Sequence, residues 1–591
     1  MRRLAFAVLA AAFATAATSV VAASPAAVVP AAAVAPAFTA LLADHWAWLL
    51  RNNPLLATRV GVHDYDTELG DPSLAAADRR AGEAAAFLAR LDAIGTAGLS
   101  DADRTSAAIL RRSLSTDVEA NRFSERAIEF SNRSGWHTGF ADLALQLPFF
   151  TRADYESYLA RLAKIPAYAA ASTAVTRVAV AHGDVLPCAI MGGFGTTITG
   201  EIKAPSASRF YAPFAVRPAS IAAADWPGLQ ARAAAVIAGS VNPAYTAYAA
   251  FIRDEYKCRS TIGASALPGG PAYYAFKARE QTTTAMTPAQ IHDLGLSEVA
   301  RIRAEMDTLV ASTGFHGDRA AYIAMLRTDP KYYATTPHAL MAEAALTAKT
   351  VDGWMPKLFG RLPRLPYTVR EIPAATAEGT TTAYYNEGNL ASGVAGTYYV
   401  NTTHLDQRPL FEMVALTIHE AVPGHHNQIS LAQELDLPPF RRYATFFTAF
   451  VEGWGLYSER LGLDMGLYDT PEKQMGRLSY EMWRACRLVV DTGIHAQGWS
   501  KERAVAFMAD NTALSAGNID AEVNRYIANP GQALAYKIGE LTIRKWRTRA
   551  ETELGPRFDL RAFHDAVLEA GAIPMDLLDT RMAAWVAARK G

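Results

Sequence analysis

The chain has 591 residues, with 57 Lys+Arg against 58 Asp+Glu, and is 50% hydrophobic and 19% charged. That balance excludes a disordered chain, which needs low hydrophobicity and high net charge. A net charge of −1 also excludes a basic nucleic-acid binder, because no positive surplus is left to neutralise phosphates.

The N-terminus reads as an export signal. Arg2 and Arg3 precede an uncharged apolar run from Leu4 to Ala22, and Val21-Ala22-Ala23 supplies small residues for cleavage. An uncleaved anchor is the weaker reading, because alanine is only mildly apolar. Residues 1–23 are therefore expected to be removed, leaving a periplasmic or secreted protein with no stable membrane insertion. No cysteine lies near the start, so lipid attachment there is not expected. The Ala/Pro/Val-rich stretch 24–37 is expected to be a tether. Residues 38–591 show neither an internal repeat nor a clean boundary and read as one large domain. Cys188, Cys258 and Cys486 are too few for a disulfide scaffold or a Cys-rich zinc site. Cys188 and Cys258 can pair or remain buried thiols.

Residues 38–180 repeat Ala, Leu and Arg at helical spacing, with turns at Asn53-Pro54, Gly61 and Asp71-Pro72. Residues 225–262 and 286–312 are again helical, the second opened by the cap Thr287-Pro288. His292 on that helix reads as a packed or surface histidine. Residues 365–403 differ. PYTVREIPA and GTYYVNTT are β-branched and aromatic, with a Gly/Thr/Asn-rich stretch between them, and predict a small sheet. From Pro409 the helical pattern returns and continues to the end. No nucleophile elbow, P-loop or dinucleotide fingerprint is present.

The chemistry is concentrated in FEMVALTIHEAVPGHHNQIS, Phe411 to Ser430. His419-Glu420 at the end of an apolar helix is similar to the opening of the HExxH zinc motif. There two histidines one turn apart hold the ion, and the glutamate between them takes a proton from its water. Here position 423 is proline, and the next histidines are His425 and His426. On an unbroken helix His426 would regain the face of His419 but about 10.5 Å along the axis, too far for one ion. If Pro423-Gly424 bulges out as an insertion, His425 takes the place of the missing ligand. His419 and His425 are thus the expected ligands, with His426 packed behind them as the rival. A third ligand should come from another element. Glu452 is the first acid in the apolar helix ATFFTAFVEGWGLYSERLG, where an acid needs a reason. That order of ligands is the gluzincin arrangement. Glu459, seven residues on, is the backup ligand or a supporting acid.

HEAVPGHHNQ and EGWGLYSE together resemble the domain of unknown function 885 family of bacterial secreted proteins, a gluzincin-like group. The resemblance extends over LPGGPAYYAFKAREQTTTAMTPAQIHDLGL (267–296), GTYYVNTT, RLVVDTGIHAQGWS (487–500) and NPGQALAYKIGELTI (529–543), and begins near residue 45. It implies a mainly α, large helical zincin-like fold with a small β-sheet next to a central channel, and an active site within residues 396–540. Helical gluzincin peptidases use a downstream histidine and tyrosine to stabilise the oxyanion. By position and type these are His495, with Asp491 one turn earlier, and Tyr536.

The expected function is zinc-dependent hydrolysis of peptide bonds in short peptides. One Zn²⁺ per chain would be held by His419, His425 and Glu452, with Glu420 as general base on a metal-bound water. Strand GTYYVNTT would set the substrate's register by strand addition, with Tyr398 and Asn401 reaching the cleft. Arg484, Arg487, Lys537 and Arg544 are candidates for a substrate carboxylate or are ordinary charges. Two alternatives stand beside this reading. One is a metal-dependent amidase acting on a non-standard or cell-wall peptide. The other is a non-enzymatic periplasmic peptide-binding protein whose structural zinc would engage His419, His425, His426 and Glu452 together.

Overall fold

The computed structural model describes residues 31–590, apart from 374–376, 378–379 and 390–392. The expected export signal and the start of the expected tether lie outside the described residues. From Ala31 the chain is helical, and the first helix, α1, runs Ala31–Asn52. The tether expectation therefore fails over 31–37. Alanine is the best helix former, and Val34 and Phe38 are buried in the core, so the helix is anchored at those two positions.

Helices Leu74–Ile94 (α2), Asp101–Ala120 (α3) and Arg152–His182 (α4) follow. Ser73, Ser100 and Thr151 cap them, each accepting a backbone N–H three residues on. Further along are Asn242–Asp254 (α5), Gly270–Thr282 (α6) and Pro288–Ser312 (α7). Thr287 caps α7 with Pro288 in its first turn, as the sequence predicts, and Gln290 completes a capping box. Cys188 and Cys258 are disulfide-bonded, and Cys486 is a buried thiol.

Helix Pro337–Asp352 (α8) leads into the sheet. Strands β1 (Tyr367–Glu371), β2 (Ala383–Asn386) and β3 (Gly396–Val400) lie in the order β1-β3-β2. β3 pairs parallel with β1 from Tyr367 opposite Gly396, and antiparallel with β2 from Ala383 opposite Val400. One face of the sheet, carrying Tyr385 and Tyr398, covers the helices of the candidate site, with hydrogen bonds to His426 and Thr417.

The C-terminal half is built from Met413–Glu420 (α9), His425–Gln433 (α10), Thr448–Asp464 (α11), Pro471–Gln497 (α12), Ala516–Ala528 (α13) and Ala535–Leu554 (α14). Every residue of α12 from Met475 to His495 is buried, so this helix is enclosed on all sides. Its charged residues must then find partners. Glu481 accepts from Lys537 at 2.9 Å and Arg477 at 3.0 Å, and also pairs with Arg301, Arg460 and Arg544. Burial alone would raise its carboxyl, but these cations hold it well below the usual range. One carboxylate thereby ties α7, α11, α12 and α14 together. Helices α11 and α14 cross at Gly453 and Gly539, where a side chain on either would strike the other backbone. This crossing brings Glu452 of α11 level with Tyr536 of α14. Among the described residues, no helix is long and apolar enough to cross a membrane.

Candidate metal centre

Helix α9 stops at Glu420, and the chain turns back on itself before α10. Gly424 N donates to Ile418 O and His426 N to Ala421 O, both at 3.0 Å. A Cβ on Gly424 would collide with the carbonyl oxygens of Ile418 and His419, so the tight return needs glycine. The turn acts as the insertion the sequence suggests. It sets His425 beside His419, ring centroids 4.7 Å apart and planes at 87°.

Glu452 completes the group. Its Oε2 is 3.5 Å from His419 Nε2 and 3.4 Å from His425 Nε2. One ligand atom from each of the three residues lies within 4.8 Å of the others. His426 is turned away. Its Nε2 donates to Leu365 O at 3.0 Å, its Nδ1 faces the Tyr385 hydroxyl at 3.0 Å, and burial pushes the ring down to about 4. Of the two rival histidines, His425 is the one at the cluster.

Behind the cluster, His419 Nδ1 donates to Glu459 Oε1 at 2.9 Å, and Arg484 Nη2 is 3.0 Å from the same oxygen. Glu459 is therefore a supporting acid that fixes the ring and leaves Nε2 facing Glu452. Burial opposes charge on His419, but hydrogen bonds to Glu452 and Glu459 outweigh it and push the ring up to about 9. Burial likewise opposes charge on Glu452, yet His419 and His425 hold its carboxyl well below the usual range. Gly455 on α11 makes room for the ring, since a Cβ there would fall 2.7 Å from His419 Cε1.

These residues fit a divalent ion such as zinc. Two imidazole nitrogens and a carboxylate oxygen are its usual donors, and tetrahedral ligands bonded at about 2.0–2.1 Å stand about 3.3–3.4 Å apart. The observed 3.4 and 3.5 Å separations match that spacing. Glu420, half-buried at the end of α9, is near enough for its charge to raise the His419 ring.

Tyr536 reaches the group, as expected. Its hydroxyl donates to Glu452 Oε1 and accepts from Arg525 Nη2, both at 2.9 Å. Other expectations fail. His495 is fully buried, with Nδ1 accepting from Ala264 N and Nε2 donating to Tyr526 O, both at 3.0 Å. No ring nitrogen is left for a substrate, so it ties α12 to Ala264 and to Tyr526 of α13. Asp491 does not orient it but instead accepts from the Tyr274 hydroxyl and Gly531 N. Tyr398 is fully buried under the sheet, its hydroxyl 3.3 Å from Thr417 Oγ1. Asn401, also fully buried, spends its amide on the carbonyls of Ala377, Thr380 and Thr381. Neither can touch a substrate. Nor can β3 accept an added strand, because both its edges are paired. Arg484, Arg487, Lys537 and Arg544 are committed to Glu459, Glu522, Glu481 and Glu540. His292 packs against Thr492.

A cavity of about 350 Å³ lies between Phe130, Arg259, Tyr273 and the C-terminal end of α13 with Asn529 and Pro530. None of His419, Glu420, His425 or Glu452 lines it, so it is not the expected channel at the cluster. Sequence reasoning missed Arg525 and Gln532, which hydrogen-bond at 2.9 Å beside Tyr536. Glu522 and Arg525, three apart on a helix, look like an ordinary surface pair.

A family model described as "Bacterial protein of unknown function (DUF885)" matches residues 54–582. The chain belongs to this family. Two solved structures share the fold of this DUF885 protein. One is described as a putative lipoprotein from Colwellia psychrerythraea, at 26% identity and a TM-score of 0.84, covering 94% of this chain and 99% of that one. The other, from Shewanella oneidensis and described in the same words with unknown function, has 20% identity and a TM-score of 0.69 over 93% and 99%. Comparison with curated proteins gives no match.

Proposed function

We propose that this DUF885 protein is an exported metal-dependent hydrolase of peptide bonds in short peptides. The observation that carries the reading is the convergence of His419 Nε2, His425 Nε2 and Glu452 Oε2 from three helices, with Glu420 adjacent. Three protein ligands leave a fourth position for a reactant, whereas a structural site uses four. His426, the natural fourth, is engaged elsewhere, which speaks against the structural-zinc alternative. His419, His425 and Glu452 would hold one Zn²⁺ per chain. When bound, the ion polarises a carbonyl and brings the pKa of its water to about 7.

The protein's own groups do the rest. Glu420 accepts a proton from water and passes it to the departing amine nitrogen, so atoms balance across one amide bond and one water. Glu459 and Arg484 keep the His419 ring fixed through Nδ1. Tyr536 orients Glu452 by donating its one hydroxyl proton to Oε1, and it would stabilise negative charge developing on the carbonyl oxygen by turning that proton away from the carboxylate. Side-chain exposures of 4% for His419, 10% for His425 and 15% for Glu452 favour flexible short peptides over folded proteins. Export agrees with the basic-apolar start of the sequence and with the description of both structural relatives as lipoproteins.

The test incubates the purified chain with a pool of short peptides and reads products by mass spectrometry, beside chelator-treated protein and Glu420→Gln. Cleavage lost in both controls is the expected result. No cleavage by a chain that carries one zinc would sink the peptidase reading.

A further inference from the structure

We propose that Arg525 reads a free carboxy-terminal carboxylate, so that this protein trims one or two residues from the end of a short peptide; the proposal rests on the hydrolase reading above. Arg525 Nη2 donates to the Tyr536 hydroxyl, which donates to Glu452 Oε1, each at 2.9 Å. Two hydrogen bonds therefore join this guanidinium to the cluster. One or two extended residues, at about 3.5 Å each, cover such a span.

Charge points the same way. The acid nearest Arg525 in its own helix is Glu522, 3.5 Å away, and Glu522 is already bound by Arg487 at 2.7 Å. Arg487 is enclosed, its guanidinium carbon 4.1 Å above the Tyr536 ring and 4.5 Å above Trp483. Its Nη1 finds no acceptor among the described residues. Asp491, whose carboxyl burial raises and the Arg487 charge partly lowers, hydrogen-bonds the Tyr274 hydroxyl and Gly531 N rather than either guanidinium. Among the described residues Glu522 is thus the one carboxylate that either guanidinium hydrogen-bonds, and buried or half-buried cations want an anion. The side chain of Arg487 is 2% exposed and that of Arg525 is 34% exposed. The guanidinium with the longer bond to the shared carboxylate is therefore the one that a solute can reach. Arg525 Nη2 is filled by Tyr536 and Gln532, so the guanidinium would take a carboxylate through single charge-assisted N–H bonds, and the carboxylate that lies one or two residues beyond a scissile bond at the cluster is the peptide's terminus.

The test measures binding as well as turnover. Trialanine and its carboxy-terminal amide are titrated calorimetrically into zinc-supplemented Glu420→Gln protein and into chelator-treated wild type. The acid is expected to bind at least tenfold tighter than the amide. Arg525→Gln should bring the two within twofold, while Tyr536→Phe, which keeps the guanidinium, should preserve the preference. Equal affinities in protein bearing Arg525, or an unchanged preference in folded Arg525→Gln, would overturn the proposal. So would an amide-capped peptide ending in glutamate that binds as tightly as trialanine, since a side-chain carboxylate would then suffice. If Arg525→Gln does not fold, the acid-to-amide ratio of the unsubstituted protein still decides. Cleavage by zinc-loaded wild type is read separately. Acid preference without cleavage keeps the carboxylate site and sinks the hydrolase reading, and equal cleavage of acid and amide does the reverse.

Discussion

The hydroxyl of Tyr536 donates a 2.9 Å hydrogen bond to one oxygen of Glu452, and the other oxygen of the same carboxylate faces both imidazoles. Tyr536 thus sets the rotation of the carboxylate from a helix that carries no ligand. Removing such an outer partner commonly weakens a metal site 10–100-fold. Tyr536→Phe is expected to lower zinc affinity by roughly that factor, read by competition with a chromophoric chelator, while thermal stability changes little. Unaltered affinity would mean that the hydroxyl does not hold Glu452.

Glu459→Gln keeps a side chain of the same shape but removes the charge between His419 and Arg484. Both neighbours are buried. Leaving Arg484 without its counter-ion should destabilise the fold by about 3–5 kcal/mol, measured by urea unfolding. Zinc affinity should fall as well, because the His419 ring loses its anchor. A variant as stable as wild type would show that Arg484 has another partner.

Gly455→Ala places a methyl group 2.7–2.9 Å from His419 ring atoms, closer than any Cβ contact tolerates. The ring must shift, at about 1–3 kcal/mol for overpacking. The expected readout is a zinc content well below one per chain after dialysis against limiting zinc, with helix content retained. Full occupancy would show that α11 moves instead.

Glu412 gives a pH prediction away from the cluster. It is buried among Arg484, Arg327, Arg408 and Glu459, and burial dominates, pushing its carboxyl up from 4.5 to about 8. The folded state then binds more protons than the unfolded state between those values. Stability from this group is full below about 4.5 and declines as pH rises toward about 8, by at most about 1.4 kcal/mol per pH unit. Wild type should therefore lose stability relative to Glu412→Gln across pH 5 to 8 in parallel urea titrations. A difference that is constant with pH would count against the assignment.

The disulfide between Cys188 and Cys258 closes a 70-residue separation. In the chain-entropy model such a loop contributes about 4 kcal/mol. Replacing both cysteines with serine should lower the midpoint of chemical unfolding accordingly, and reducing agent should have no further effect on that variant.

Much of the candidate site was legible along the chain. His419, Glu420, His425 and Glu452 stand out because acids and histidines are rare in apolar helical runs, and Pro423-Gly424 announces the break that reconciles their spacing. Tyr536 was legible only through resemblance. His495 and Tyr398 looked equally suitable and are not at the site, because a residue's free hydrogen-bonding atoms depend on neighbours hundreds of positions away: Ala264 for His495, for example.

The same contrast separates what the chain's own order of residues determined from what packing decided. Local spacing, capping residues and the shift to β-branched residues near 365–403 determine where helices and strands β1 and β3 form, since those preferences act within a few residues, whereas β2 lies in the Gly/Thr/Asn-rich stretch between them and forms by pairing with β3. The tether's true end was decided by Val34 and Phe38 finding a core, and the central place of β3 by two partners arriving from both sides. The choice of His425 over His426 was decided by Leu365 and Tyr385 capturing the latter. Burial and hydrogen-bond saturation are properties of long-range contacts, so only the folded chain could assign them.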